Sequence, residues 1–272
     1  MELLYKNRSE QDQDFIKYVC SDILSLNSKD KNKNETFAAV FIDGRNREIN
    51  SLEDYTCFHS FYTFSEYAYP IYAFVNNTFN FLNNNKELID KYNIKIIKID
   101  PLNSLDELSI FCIKKLFFLL PKYLENIINL QPDAMFMKSG YEEYLLKYNF
   151  NYIGAPWLHA PAIEYLDQDS IWKPFFYPVR IANGAMSYRK ASFCRFAATK
   201  FGDFILREKS AENNKIPPED LFYSVIANVT QGNVPTIEQA RIFSIDPLDK
   251  IDYNNKISYG FHYFSAINPW KN

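Results

Sequence analysis

The chain has 272 residues and a formal net charge of −3, and its sequence pI near 5.7 lacks the basic footprint of a nucleic-acid binder. No apolar run approaches the roughly 18 residues that would suggest a membrane-spanning helix; LFFLLP at 116–121 is typical of the longest. With 47% hydrophobic residues, the length suits one large α/β domain with a sizeable core.

The 24 Phe and 20 Tyr accompany many Lys, Asn and Ile, a bias that strips any single aromatic of functional weight. Cys20, Cys57, Cys112 and Cys194 form no C-x-x-C pair and sit among apolar neighbours, which predicts free buried thiols in a reducing compartment. The start, MELLYKNRSEQDQDF, has no basic region followed by an apolar stretch, so no secretory leader is expected. The expected location is the cytoplasm, with contact at the inner face of the membrane still compatible.

Phe15, Ile16, Val19, Cys20, Ile23 and Leu24 recur at helical spacing, and SKDKNKNE follows at 28–35. Residues 1–35 therefore read as an N-terminal helical extension and linker. TFAAVFID (36–43) predicts a first strand, closed by Gly44, Arg45 and Asn46. A helix is expected over 50–66, then strands at 70–77 and 94–100. SLDE at 104–107 predicts a capping box, Ser104 accepting from a backbone N–H and Glu107 reaching back. Residues 127–137 predict a fourth strand region, interrupted at Pro132. Strands alternating with helices imply a mainly parallel sheet, covered on both faces. Ligands collect at the carboxyl ends of such strands, where Asp43 with Arg45, Asp100, and Gln131 with Asp133 fall. Residues 36–150 then form a nucleotide-binding half and 151–272 an acceptor-side half.

Four motifs carry candidate chemistry. In QPDA, Asp133 follows a strand; it either holds Mg²⁺ or Mn²⁺ together with a diphosphate, or caps a turn. NGAMSYR suits a strand with one face in a site, Asn183 and Gly184 allowing a ligand close to the backbone. In IPPEDLFYSVI, Pro218 suits a first helical turn; Glu219 and Asp220 are then either anions favoured by the helix dipole or a general base. His262, among aromatics, is either packed or a neutral metal ligand.

Taken in order, QPDA (131–134), YIGAPW (152–157), NGAMSYR (183–189), PED (218–220) and ARIFSID (240–246) resemble a family of glycosyltransferase-like proteins grouped with the GT-A nucleotide-sugar transferases. That family reads Gln-x-Asp, an aromatic-Ile-Gly-Ala-Pro-Trp, Gly-Asn-Gly-Gly-x-Ser-Leu-Arg, Glu-Asp and a Phe-Ser segment. HYFSAINPW is similar to the His-x-x-Gly-x-x-Lys-Pro-Trp of glycogenin-type transferases, with Ser265 for Gly and Asn268 for Lys. Gln131 also stands where those enzymes carry the first Asp of Asp-x-Asp, and it is no charge partner for a dication.

The resemblance implies a GT-A-like α/β fold and transfer of a sugar from a nucleotide diphosphate sugar, a UDP-sugar favoured. The implied acceptor is a hydroxyl of a glycan or lipid-linked glycan, in bacterial surface polysaccharide or lipopolysaccharide assembly. It implies Asp220 as catalytic base beside Glu219, with Asp133 and His262 as ligands of Mn²⁺ or Mg²⁺. Asp43 and Arg45 would contact the nucleotide, Lys114 the diphosphate, and Asn183, Gly184 and Arg189 the donor pocket; Trp157 would present an indole to a sugar. The inverting and the retaining course both stay open. Two rivals remain: a nucleotidyltransferase, for which a Gly-rich loop rather than the single Gly44 is expected after the first strand, and a non-catalytic sugar-binding module on the same fold.

Overall fold

A computed structural model describes residues 35–45, 52–76, 86–132, 134–157, 173–176, 179, 181–205, 216–245 and 258–262. The expected N-terminal helix lies outside these residues, as does Asp133. In chain order the elements are β1 (Phe37–Asp43), α1 (Leu52–Thr63), β2 (Ile71–Val75), α2 (Lys86–Lys91), β3 (Ile94–Lys98) and α3 (Leu105–Phe111). α3 runs through a π-helical turn (Cys112–Leu116) into the short α4 (Phe117–Leu119). Next come β4 (Asn126–Leu130), β5 (Ala134–Phe136), α5 (Tyr141–Tyr148), β6 (Tyr152–Pro156) and α6 (Lys173–Phe176). The rest are β7 (Ile181–Lys190), α7 (Ala191–Ile205), α8 (Glu219–Val229), α9 (Ile237–Phe243), β8 (Ser244–Ile245) and β9 (Gly260–His262).

Six strands form the main sheet in the order β3-β2-β1-β4-β7-β6. β1 pairs in parallel with β2 and β4, and β2 in parallel with β3, while β7 runs antiparallel to both β4 and β6. β1, β2 and β4 are buried along their whole length because both faces of the sheet are covered, and their residues are hydrophobic except for Asp43, Asn126 and Asn129. In β1, Ala38, Val40 and Ile42 enter a core shared with α3, α4, α7 and α8. Phe37, Ala39 and Phe41 enter a second core shared with α1, α5 and α9. Phe41 meets Phe58 of α1 at a ring separation of 4.9 Å; truncating such a buried Phe to Ala typically costs about 3–5 kcal/mol.

The fourth strand region breaks at Pro132 as expected, but its two pieces join different sheets. β4 stays in the main sheet, and β5 enters a three-stranded sheet ordered β5-β9-β8. The capping expectation at α3 holds in part. Ser104 Oγ accepts from Glu107 N, but Glu107 Oε2 accepts from the N–H of Asn103, one residue before the cap. A full box occurs instead at α9, where Thr236 and Gln239 cap each other. Cys57, Cys112 and Cys194 are buried thiols outside any disulfide. Among the described residues no helix is long and apolar enough to cross a membrane.

Candidate functional site

β1 leads outward to β2 and β3 on one side, while the chain returns to place β4 on the other. The strand order therefore reverses at β1/β4, the position where open α/β sheets bind ligands. Asp43 ends β1 there. Its buried carboxylate is gripped by Arg45, Nε to Oδ1 at 3.0 Å and Nη2 to Oδ2 at 3.1 Å. Asn76, at the end of β2, donates to the carbonyls of Gly44 and Arg45 and holds that loop down. β6 runs parallel to β4, so Trp157 also emerges at this end, partly buried against the first core.

The NGAMSYR segment is the start of β7, and it is strongly bulged. Gly154 pairs with Ser187 but Ala155 pairs with Asn183, so one step along β6 spans four along β7. Gly154 has no side chain because a Cβ there would lie 2.1 Å from the Asn183 carbonyl oxygen. Polar groups tie the bulge down. Asn129 Nδ2 and Ser187 Oγ both donate to the Gly184 carbonyl, at 2.7 and 3.1 Å. Gln131 N donates to Ala185 O at 2.7 Å.

α8 starts against this bulge. Pro218 is its N-cap, so Glu219 is the first helical residue and Asp220 the second. Asp220 Oδ2 accepts from Gly184 N at 2.9 Å, and Oδ1 from Leu221 N at 2.6 Å. This contact explains the glycine: a Cβ on Gly184 would lie 2.8 Å from Asp220 Cβ and 2.9 Å from Arg189 Nη2. The adjacent carboxylates diverge, as neighbours on a helix must. Glu219 turns inward and pairs with Arg189 at 3.0 Å. Arg189 has 0% exposure, donates from Nε to Ser187 Oγ and lies between the rings of Tyr152 and Tyr223.

Burial raises Asp220 to about 7, with the Glu219 charge acting in the same direction; Arg189 and the N–H groups of Leu221 and Gly184 oppose it. For Arg189, burial works against the cation but Glu219 outweighs it, so the guanidinium is held more firmly charged than usual. Cys112 beneath the pair is pushed up by burial and by Glu219.

His262 reaches the site from β9. It pairs across β5 with Ala134, the residue after Asp133, and its Nδ1 lies 3.0 Å from Asn183 Nδ2. Among the described residues no group of three or more His, Cys, Asp or Glu side chains is arranged for a metal.

Asn183, Gly184, Asp220 and His262 are thus brought together. Two candidates have other partners. Arg189 is enclosed beneath the bulge rather than open to a donor, because Glu219 and two aromatic rings surround it. Lys114 lies on the π-helical turn and pairs with Asp203 of α7, not with a group at the strand ends. Tyr223 and Asn129, which brace the array, carried no distinguishing pattern in the sequence, and Tyr152 was visible only as the aromatic that opens YIGAPW. Arg189 was visible only as the last residue of NGAMSYR, and nothing in that motif showed that it would be buried.

No curated protein matches the sequence. Mouse xyloside xylosyltransferase 1, in its apo form, is similar in structure at 9% identity over 84% of this chain and 97% of its own, with a TM-score of 0.53. The bifunctional glycosyltransferase WbbM, also apo, is similar at 11% identity over 88% of this chain, with a TM-score of 0.54; the match spans 47% of WbbM. Core-mannan synthase A from Aspergillus fumigatus, in a Mn/GDP form, gives 11% identity, 74% and 71% coverage and a TM-score of 0.48. The fold is that of the GT-A glycosyltransferases: a mostly parallel α/β sheet between helices. A family model described as "Protein of unknown function (DUF5672)" matches residues 91–262, well over half of the sequence, and the chain belongs to that family.

Proposed function

We propose that the chain is a glycosyltransferase that moves a sugar from a nucleotide diphosphate sugar, favoured as a UDP-sugar, to a hydroxyl of a glycan or lipid-linked glycan. Assembly of a bacterial surface polysaccharide is the setting that reading suggests. The observation that carries it is the Asp220 carboxylate: partly buried, raised to about 7 and docked on a bulge beside the point where the strand order reverses. Each Asp220 oxygen accepts one backbone N–H and keeps a second lone pair. Asp220 takes the proton of the acceptor hydroxyl as its oxygen bonds to the anomeric carbon. The bond from that carbon to the diphosphate breaks, and the nucleoside diphosphate leaves with the electron pair. A base of this kind contributes about 10²–10⁴ in rate, and a direct displacement inverts the anomeric centre.

Asp43 and Arg45 are the proposed contacts to the nucleotide, Asn183 to the donor sugar, and Trp157 to the acceptor; Gly184, whose space the start of α8 fills, is not among them. A hard cation bridging the diphosphate needs only one or two protein carboxylates. Asp133 would supply one, and the cation would screen the charge on the leaving group.

The test is release of nucleoside diphosphate from a panel of UDP-, GDP- and CMP-sugars (CMP for the last), with the anomeric form of the product read by NMR. Asp220→Asn should lower turnover at least ~10²-fold while leaving UDP binding intact. If no donor is turned over but a free sugar still raises the melting temperature, the chain is a sugar-binding module instead.

A further inference from the structure

The apolar run LFFLLP is only half used by the core. Leu116, Phe117, Leu120 and Leu124 are buried in the first core, but Phe118, Leu119 and Tyr123 are 53%, 49% and 60% exposed. Leu105 and Ile110, earlier on the same rod of α3, π-helical turn and α4, are exposed as well. The compositional bias makes a single aromatic uninformative; a group of large apolar side chains facing out from one rod is a different signal. Arg195 of α7 fixes the end of the rod, donating to the carbonyls of Phe117 at 2.9 Å and Pro121 at 3.2 Å. Beside it a cleft of about 470 Å³ opens between the end of β3 and the rod, with Ile99, Pro101 and Leu102 on one wall and Ile110, Lys115 and Leu119 on the other.

The charge on this face is positive although the chain as a whole is acidic. Lys95, Lys115 and Lys122 are exposed around it. Lys95 joins it through the Tyr72 hydroxyl, to which it donates at 3.4 Å and which is hydrogen-bonded to Tyr123. Residues 114–124 contain no Asp or Glu; Glu107 and Asp100 lie at the opposite end of the rod, in the first turn of α3 and just past β3. Exposed apolar patches meet either proteins or membranes. Lys is depleted in protein interfaces. Phe, Leu and Tyr ringed by Lys suit a lipid surface: the apolar groups enter the headgroup boundary, and the long lysine stems leave the ammonium groups among anionic headgroups. We infer that the outer face of α3 and α4 docks the protein on an anionic lipid surface. That face begins at Leu105, three residues after Leu102, whose N–H donates to the Gly44 carbonyl at the end of β1 at 2.8 Å. Lipid contact therefore reaches the strand ends near Asp43, where a lipid-linked acceptor is presented to the site. This last step rests on the glycosyltransferase reading; the docking face does not.

The test is co-sedimentation of the full chain with vesicles of phosphatidylcholine alone and with vesicles in which about a third of the lipid is phosphatidylglycerol. The chain should bind the anionic vesicles, and the affinity should fall about tenfold or more between ~0.05 and ~0.5 M salt. A lysine at such a surface is worth about fivefold, so Lys115→Gln with Lys122→Gln should weaken binding about thirtyfold. Phe118→Ser with Leu119→Ser leaves the charge unchanged and should weaken it about tenfold or more. Because all four side chains are exposed, both double variants should melt within about 2 °C of wild type; if the serine pair does not fold, the lysine pair and the salt series still decide.

No binding to the anionic vesicles at low salt overturns the inference, and so does binding that neither pair weakens. A concentration-dependent dimer that the serine pair dissolves, with no vesicle binding, assigns the face to a second copy instead. Lysine acylation that spares Lys115 and Lys122 in the free monomer assigns it to cover by residues 1–34 and overturns the inference too. The docking face and the glycosyltransferase reading fail separately. Vesicle binding that comes with no turnover of any nucleotide sugar keeps the face and removes the acceptor step, whereas turnover with a soluble acceptor but no vesicle binding does the reverse.

Discussion

Replacing Glu219 with Gln tests the array beneath the bulge. The substitution keeps an amide oxygen near Arg189 Nη2 but removes the charge that balances a guanidinium with 0% exposure. Arg189 cannot shed its proton. Breaking a buried pair by removing one partner costs about 3–5 kcal/mol. About 3 kcal/mol applies here, because the hydrogen bond survives and Asp220 is close enough to act as a second counter-charge. Unfolding entropies of about 2.1 cal/mol/K per residue amount to roughly 0.57 kcal/mol/K for 272 residues, so the melting temperature should fall by about 5 °C. The loss should be larger at acid pH, where Asp220 is protonated and Arg189 has no anion at all. Activity should respond separately. Glu219 helps to raise Asp220, so in the variant Asp220 ionises more readily and the acid limb of the kcat/KM profile moves to lower pH. Thermal melts at several pH values and the pH–rate profile check both parts. A melting temperature unchanged to within 1 °C would refute the buried-cation argument, and an unmoved acid limb would refute the electrostatic link to Asp220.

Asp220 holds its proton up to about pH 7 in the fold and releases it near 3.9 when unfolded. The native state therefore binds the extra proton between those values, and stability should fall as pH rises through that window. Asp220→Asn should flatten the slope in denaturation curves. Burial raises Glu142 to about 7 as well, so Glu142→Gln should remove a further part of the same slope without changing turnover. Gly184→Ala sets a Cβ 2.8 Å from Asp220 Cβ. It should destabilise the protein by about 1–3 kcal/mol and depress kcat more than UDP affinity, as steady-state kinetics and calorimetry would show. If Asp133 holds a cation, EDTA should weaken UDP binding in the wild type and have no effect on Asp133→Ala.

The strands were legible because a sheet covered on both faces needs unbroken apolar runs, and FAAVFID or IYAFV can hardly be anything else. Pro132 showed where a strand must stop, but not that Ala134–Phe136 changes sheets; that depends on β9, which pairs with it from more than a hundred residues away. Glu219 and Asp220 were visible as a pair. Their division of labour was not, because it depends on Arg189, whose burial follows from a bulge that the spacing does not encode. Gly184 looked like room for a ligand, and the helix start occupies that room. Lys114 looked like a free cation until the fold placed Asp203 across from it.

The small sheet also bears on the order in which the chain assembles. All six strands of the main sheet are complete by Lys190, and α8 by Val229, so a ribosome-bound chain can form most of both cores early. Among the described residues β5 and β8 each pair only with β9, which lies between them. Until residues 260–262 have left the exit tunnel, those two strands have no partner in that sheet, and Asn183 has no imidazole to orient. A nascent or proteolytically shortened chain that stops before Gly260 would therefore present the main sheet and the acidic pair without the histidine that completes the site. Completion of the site is thus a late, long-range event, of the kind that slows folding and gives quality control a window in which to act on the chain.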